Sequence, residues 1–175
     1  MLHKWSTGEV SYFENWREHP WAILFWLFGM YFWRDTHFYL IHRAIHPWRL
    51  NGIPDLGRWL YRNVHSLHHK STNPSAWSGI AMHPVESAFY ESAIFVPCFF
   101  THHPYFIVVI KLHLLLTAIL GHDGHTLPGA GNYNHYLHHA YADCNYGTIN
   151  APFDWLCGSY EDGSSYPNER MNVIK

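Results

Sequence analysis

Residues 42–46 read HRAIH, residues 65–69 read HSLHH and residues 135–139 read HYLHH. On a helix, residues three and four positions apart share one face, so each motif brings two or three imidazoles together. At this histidine content about 0.2 matches to HxxHH are expected by chance along the chain, whereas two occur. Imidazole is the commonest protein ligand for iron, copper, nickel and zinc. The three motifs therefore predict metal binding by helical histidines, and the histidines of one motif can converge on one metal.

The number of histidines in these motifs predicts two metal ions rather than one. The motifs contain eight imidazoles. A zinc ion usually binds four ligands and an iron ion about six, so eight exceed what one ion can bind. Carboxylate-bridged di-iron bundles carry Glu-x-x-His on their helices, and this motif does not occur in the sequence. A mostly neutral, nitrogen-rich site is expected, and ligand chemistry alone permits iron or zinc.

Composition limits the classes of function. Aromatic residues reach 18% and charged residues only 14%, which suits a protein that buries much of its surface in lipid. The net charge of −2 gives no basic field for nucleic acid. The sequence has no GxSxG, P-loop or dinucleotide motif, so nucleophilic hydrolysis and direct NAD(P)H binding lack a basis. A redox reaction would therefore need a separate protein as electron donor.

The pattern of apolar residues predicts an all-α chain, because no alternation with period two persists. Residues 1–19 form a polar, interfacial lead-in, and residues 20–175 form a single domain. No run reaches 18 clean apolar residues, which fits either half-inserted helices or spans that continue into a polar cap. The predicted helices are Trp21–His46, Arg58 to about Lys70, an apolar hairpin of Trp77–Phe100 and Pro104–Leu120, and a short helix over Asn134–Ala142.

The histidine motifs stand in an ordered set with other motifs, which extends over roughly residues 31–162. The set is Asp35-x-x-x-Tyr39-x-x-His42-Arg43-x-x-His46, His65-x-x-His68-His69-Lys70, Met82-His83-Pro84-Val85-Glu86, His122-Asp123-Gly124, His135-x-x-His138-His139, Asn145-Tyr146-Gly147 and Asp154-x-x-x-Gly158-Ser159-Tyr160. In order and spacing it resembles the fatty acid hydroxylase/sterol desaturase superfamily, and within it most closely the sterol desaturases.

The resemblance implies an integral membrane helical bundle with a histidine-rich catalytic cap at the membrane surface. Members of the superfamily are iron- and O2-dependent oxidoreductases that hydroxylate or desaturate sterol or fatty-acyl lipids. They take electrons from cytochrome b5 or, by analogy, a ferredoxin-type protein. The implied location is the endoplasmic reticulum in a eukaryote or the cytoplasmic membrane in a bacterium, with the cap facing the cytosol.

By matching position, the resemblance also implies the ligands of two iron ions. They are His42, His46, His65, His68, His69, His122, His135, His138 and His139. His83 and His125 compete for one further ligand position. Hydrogen-bond partners of the ligand histidines are expected among Asp35, Glu86, Asp123, Asn145 and Asp154. Asp35 has an alternative as the partner of Arg34 or Arg43, and Glu86 would serve His83.

Two other functions remain open at this point. The first is a zinc-dependent membrane hydrolase, which would use the same metal site, with zinc in the purified sample, but would catalyse no redox reaction. The second is a non-catalytic metal-binding protein or a truncated family member. Family members generally run longer, with additional membrane helices before the first histidine motif, so a fragment lacking its first hairpin and a minimal homologue both fit. Substrate, product and oligomeric state lie beyond the sequence.

Overall fold

A computed structural model describes residue 24 and residues 28–95, 104–123 and 132–165 of the chain. All regular structure in these ranges is helical, as the sequence predicts. The α-helices are α1 (Met30–Ala44), α2 (Leu56–Asn63), α3 (Pro84–Glu91), α4 (Pro104–Gly121), α5 (Asn132–Tyr141) and α6 (Phe153–Leu156). Short 3₁₀ helices span His65–Lys70, Ala76–Ile80 and Ser92–Ile94.

Helix α1 is the described part of the predicted Trp21–His46 helix. Leu24 is helical, whereas residues 21–23 and 25–27 and the predicted lead-in 1–19 lie outside the described residues. The helix ends at Ala44, and the backbone N–H of Ile45 closes its last turn on Ile41. The residue before a proline is disfavoured in the helical region, so Pro47 ends the helix where expected. His42 therefore lies in the last turn and His46 just beyond it.

The single helix predicted from Arg58 to Lys70 is wrong, because the chain breaks at Val64. Helix α2 begins at Leu56, where the carboxylate of Asp55 accepts a hydrogen bond from the N–H of Arg58 at 2.8 Å. Val64 takes φ −124° and ψ −67°, and the 3₁₀ helix of His65–Lys70 follows. No Gly or Pro marks this break in the sequence, so local signals could not reveal it.

The predicted apolar hairpin is confirmed for one of its two arms. Its second arm is α4, but the described part of its first arm is split into two short 3₁₀ helices and α3. Pro84 occupies the first turn of α3, a position that proline favours. The Ala76–Ile80 turn packs on α4, and a Cβ at Gly79 would overlap the carbonyl oxygen of Ala118. Only glycine allows this close approach.

Three side-chain contacts hold the described helices around the site. Trp33 on α1 donates to the carbonyl of Ala93 at 3.0 Å. Arg34 donates to Thr117 on α4 at 2.6 Å, and Lys111 pairs with Glu91 at 2.6 Å. Because these contacts join α1, α3 and α4, the histidines carried by α1 and by the end of α4 are brought to one side of the molecule.

Two further elements lie near the C-terminus. Helix α5 confirms the short helix predicted over Asn134–Ala142, apart from two residues at its start and one at its end. Helix α6 was not expected, since a tail rich in Gly, Ser and Asn predicts loop structure. Among the described residues, no helix combines the length and the apolar character that crossing a bilayer requires. The membrane bundle stays a prediction.

The interior of the described part is unusually polar. Its buried apolar side chains include Ile45, Val64, Ile110 and Leu137. They are outnumbered by buried polar and charged residues, among them all nine histidines predicted as ligands, none of which is more than 9% exposed. Buried polar groups destabilise a fold unless they find partners. The histidines therefore need hydrogen-bond partners or a bound cation to offset the free-energy cost of their burial.

Candidate metal centre

The nine histidines predicted as ligands lie together as two adjacent groups, each with nitrogens within 4.8 Å of one another. The five-histidine group consists of His42, His46, His65, His69 and His138. The four-histidine group consists of His68, His122, His135 and His139. The two groups touch, because the rings of His69 and His139 stack with their centroids 4.9 Å apart. This arrangement has the right ligand type and number for two neighbouring metal ions.

Each HxxHH motif is divided between the two groups, so its three histidines do not gather at one site as their spacing would allow. His65 and His69, at positions i and i+4, belong to the five-histidine group, whereas His68 joins the other. The second motif is reversed: its outer pair lies in the four-histidine group, and His138 crosses to the five-histidine group. Each HxxHH motif therefore contributes histidines to both groups. Their neighbouring positions on one helix face did not predict this division.

Backbone carbonyl groups fix the orientation of five imidazoles. The Nδ1 atoms of these rings lie 2.6–3.3 Å from carbonyl oxygens. The pairs are His42 with Tyr146, His68 with Ala81, His122 with Ala118, His138 with Cys144 and His139 with Ser71. A carbonyl oxygen only accepts, so Nδ1 carries the proton in each ring. Nε2 is left as a lone pair facing the centre of its group.

These lone pairs point at each other across short distances. His122 Nε2 lies 3.2 Å from His68 Nε2 and 3.0 Å from His139 Nε2, although all three rings carry their proton on Nδ1. Neither nitrogen of such a pair has a hydrogen to donate, so the contact is not a hydrogen bond. Two lone pairs at this distance repel, and a cation between them turns the repulsion into coordination. The donor set therefore fits a bound metal.

The spacing of the nitrogens is compatible with shared metal ions. Ligand nitrogens about 2.1 Å from one ion are about 3.0 to 3.4 Å apart, depending on whether they meet at a right angle or a tetrahedral angle. The shortest Nε2 separations within the two groups run from 2.8 to 3.2 Å. The histidines of each group are therefore close enough together to bind one ion.

Burial keeps these histidines neutral. It is the largest cause lowering the pKa of all nine rings, and it lowers the pKa of His65 to about 3 and that of His122 to about 4. Desolvation disfavours a charged imidazole, and the neighbouring histidines add to this in most of the group. Only neutral imidazole binds a metal. Protons therefore compete weakly for this site near neutral pH.

Glu86 is a carboxylate that directly contacts a histidine of the five-histidine group. Its Oε1 lies 2.6 Å from Nδ1 of His65, and both side chains are fully buried. The sequence had listed Glu86 among the possible hydrogen-bond partners of ligand histidines, with His83 as the histidine that it could serve. The histidine is His65 instead, and Nδ1 of His83 accepts a hydrogen bond from the N–H of Val85 at the start of α3.

The loop of residues 144–147 supplies two of the five backbone carbonyl groups that orient imidazoles. Buried polar side chains hold this loop in place. Both carboxylate oxygens of Asp154 accept from this loop, from the N–H of Tyr146 at 2.8 Å and from that of Gly147 at 2.7 Å. Asn145 sits at φ +53° and binds the backbone of Asn134 and Glu161 through its side chain. Asp154 and Asn145 thus act on the histidines through the backbone rather than through direct contact.

The remaining predicted residues are not members of either group among the described residues. Half-buried His83 is in neither group. His125 lies outside the described residues. Asp35 pairs with Arg34 at 2.5 Å, the alternative that the sequence left open. Asp123 follows His122 and is half-buried. Sequence patterns gave no sign of the carbonyl anchors, because a backbone acceptor has no residue signature.

A cavity of about 460 Å³ opens onto the histidines. Three members of the four-histidine group line it, namely His68, His122 and His135, against only His42 from the other group. Apolar side chains of α1, α4 and the Ala76–Ile80 turn form most of its walls, including Phe38, Ile80, Leu114 and Leu115. Such a volume lies within the range of small-molecule sites. The four-histidine group is therefore the more accessible of the two.

Comparison with known proteins places this centre in a family. The sequence model of the fatty acid hydroxylase family matches residues 9–159, which include all nine histidines. The chain belongs to the fatty acid hydroxylase family. No solved structure matches it significantly.

Three curated relatives illustrate the activities that matched proteins carry in their names. A delta(7)-sterol 5(6)-desaturase of Schizosaccharomyces pombe is 30% identical over 89% of the chain and 47% of that protein. Human lathosterol oxidase is 29% identical over 77% of the chain and 44% of that protein. A very-long-chain aldehyde decarbonylase of rice is 27% identical over 73% of the chain and 49% of that protein. The chain thus spans about half the length of the curated relatives it matches.

Proposed function

We propose that the chain is an iron-dependent lipid oxidoreductase that uses O2 to hydroxylate or desaturate a sterol or fatty-acyl lipid. The observation that carries this proposal is the pair of adjacent histidine groups opening onto an apolar cavity. The named relatives include sterol desaturases and a sterol oxidase, which supports a redox reaction on a lipid.

Two iron ions fit the site for three reasons. The donor set is nitrogen from neutral imidazole, which suits iron. The Nε2 separations of 2.8–3.2 Å are short enough for neighbouring histidines to bind one ion. The four-histidine group offers fewer protein ligands than the other group and lines the cavity, so an iron held there would be the one that a substrate approaches. The five-histidine group offers its ion more protein ligands.

Bound iron would supply O2 activation and removal of hydrogen from an unactivated C–H bond, a step that hydroxylation and desaturation share. The protein's own part is to hold and shield the reacting region. The carbonyl oxygens of Ala118 and Ser71 keep His122 and His139 turned with Nε2 inward. Apolar residues such as Phe38 and Leu115 line the approach and exclude water, which protects a reactive oxidant from side reactions.

The proposal includes a membrane setting and a separate electron donor. Several apolar side chains of α4 are exposed, among them Val108, Val109, Leu112 and Leu116, which suits contact with lipid. Cytochrome b5 or a ferredoxin-type protein would deliver electrons. The chain would then reside in the endoplasmic reticulum of a eukaryote or the cytoplasmic membrane of a bacterium, with the histidines on the cytosolic side.

Lipid profiling of a host that expresses the chain tests the proposal. The wild-type chain is expected to produce a hydroxylated or newly unsaturated lipid, whereas His138→Ala yields none. His37→Ala is the matched control, because His37 contacts Ser92 outside both groups and its loss leaves the product unchanged. Absence of a new lipid from an iron-loaded wild-type chain with a supplied donor would contradict the proposal, as would the same product from His138→Ala.

A further inference from the structure

One stripe of side chains on α1 lines the cavity and includes a buried arginine. Arg34, Phe38 and His42 follow each other at four-residue intervals, and all three line the cavity. At 1.5 Å per residue, Arg34 lies about 12 Å along the helix axis from His42. The cavity is thus lined both by histidines of the two groups and by a permanent cation two helical turns from His42.

Arg34 has hydrogen-bonding capacity that the protein does not use. Its side chain is 8% exposed, and it donates one bond to Asp35 at 2.5 Å and one to Thr117 at 2.6 Å. A guanidinium carries five N–H groups and stays protonated. Its Nε is buried without a partner and has almost no accessible surface, so a ligand in the cavity would have to be bound by the terminal nitrogens. Arg34 also packs over the ring of Phe38 at 5.3 Å. Unused donors in an apolar setting are unfavourable until an acceptor binds.

The charges around Arg34 determine which acceptor suits it. Asp35 neutralises the guanidinium at close range, and Glu91 lines the same cavity, although Lys111 balances its charge. A ligand carboxylate would therefore lose its hydration near two other carboxylates and gain little net attraction. An uncharged oxygen, in a hydroxyl or a carbonyl group, accepts from Arg34 without that penalty.

We propose that Arg34 is a specificity-determining residue that binds an uncharged hydroxyl or carbonyl oxygen of the lipid. The hydrocarbon part then lies along Phe38 and reaches the four-histidine group, while free fatty acids are rejected. This deepens the proposed function by naming the substrate class. The binding preference itself requires no turnover, so it can be measured separately from the reaction.

The test is equilibrium dialysis under argon of the full chain, as purified with its metal, against three tritiated probes of equal length. The probes are octadecan-1-ol, octadecane and octadecanoate. Wild-type protein is expected to bind the alcohol roughly tenfold or more tightly than the alkane, as one hydrogen bond to a charged donor allows. Because Arg34→Met alone would leave Asp35 buried without a partner, the test variant is Arg34→Met/Asp35→Asn. It should bind alcohol and alkane equally.

The single variant Asp35→Asn gives a second, independent readout. It keeps Arg34 and removes the charge that neutralises it, so binding of octadecanoate should rise relative to the alcohol. A purely structural role for this ion pair predicts weaker binding of all three probes alike. Arg62→Met, an exposed arginine on α2 outside the cavity, is the matched control and should leave every affinity unchanged.

Three results would overturn the inference. They are equal binding of alcohol and alkane by the wild type, a preference for alcohol retained in the double variant, or no gain of carboxylate binding in Asp35→Asn. A chain that shows the Arg34-dependent preference but oxidises no lipid would contradict the proposed function alone. The two proposals therefore fail separately.

Discussion

His65 and Glu86 form a fully buried pair, with Nδ1 of the histidine 2.6 Å from Oε1 of the carboxylate. In the metal-free protein, burial raises the pKa of Glu86 to about 7 and lowers that of His65 to about 3. A carboxylate in this position fixes the imidazole with Nε2 free and makes that nitrogen a stronger ligand. The pair therefore connects α3 directly to the five-histidine group.

Replacing Glu86 should weaken metal binding in the five-histidine group. Glu86→Gln preserves size but removes the negative charge behind His65, and losses of about 10- to 100-fold in affinity are typical for such partners. Competition titration with a chelator measures the change. Asp143→Asn is the control, because it removes an equal charge from an exposed pair with Arg49. An affinity for Glu86→Gln equal to that of the control would contradict this role.

The two groups should respond differently to the loss of one histidine. His69→Ala leaves four histidines in its group, whereas His139→Ala leaves three in the other. Because both residues end an HxxHH motif, they form a matched comparison. We expect elemental analysis to find nearly two metals per chain in His69→Ala and close to one in His139→Ala. Equal loss in both variants, or greater loss in His69→Ala, would show that the groups are not arranged as described.

The composition of the metal centre was largely predictable, but its partition was not. Histidine spacing in the sequence identified eight residues that the fold does bring together, and the family resemblance added His122. The exchange of His68 and His138 between the groups depends on how the His65–Lys70 turn meets α5. That contact spans about 70 residues of sequence and leaves no local pattern. Long-range packing therefore decides which histidines share a metal.

Stability of the metal-free chain should fall as the pH drops below about 6.5. Burial lowers the pKa of His65 to about 3 and of His122 to about 4, so the unfolded chain binds protons that the folded chain refuses. The stabilisation is complete above the unfolded pKa and is lost on acidification at about 1.4 kcal/mol per pH unit for each group.

Glu86, whose pKa is raised to about 7, acts in the opposite direction, but the other seven histidines of the site act with His65 and His122. Urea unfolding at pH 7.5 and 5.0 measures the balance. We expect a lower unfolding free energy at pH 5.0 and a shallower pH dependence in His122→Asn. A flat profile, or one that rises towards acid, would mean that the histidines are not held neutral.

Removing Asp154 should disturb the five-histidine group from a distance. Its carboxylate holds the N–H groups of Tyr146 and Gly147, and the Tyr146 carbonyl orients His42. Hydrogen bonds to a buried charge are worth about 1.5–3 kcal/mol each. Asp154→Ala should therefore lower both the unfolding free energy and the affinity of this group.

Urea unfolding and chelator competition measure the two effects of Asp154→Ala. Asp162→Asn is the control, since Asp162 is exposed and accepts a hydrogen bond from the N–H of Ser164 in its own loop. If Asp154→Ala lost stability but bound metal normally, the link through the Tyr146 carbonyl would be ruled out.

Other parts of the structure were beyond sequence reasoning for identifiable reasons. Arg34 lies next to a histidine-bearing motif but outside it, so only the cavity reveals its position. Val64 breaks a helix without any Gly or Pro to mark the end. In the sequence Asp35 could serve a ligand histidine, Arg34 or Arg43, and packing selected Arg34. In each case the deciding contact is with a residue that the local pattern does not include.

Iron stoichiometry tests the central claim most directly. The purified full chain is stripped of metal and titrated with ferrous iron under argon, and bound iron per chain is measured alongside X-ray absorption at the iron edge. Two irons per chain are expected, with a first shell of nitrogen and oxygen at distances typical of imidazole ligands. Saturation at a single iron, or binding that persists when His65, His68 and His69 are all replaced by alanine, would contradict the account.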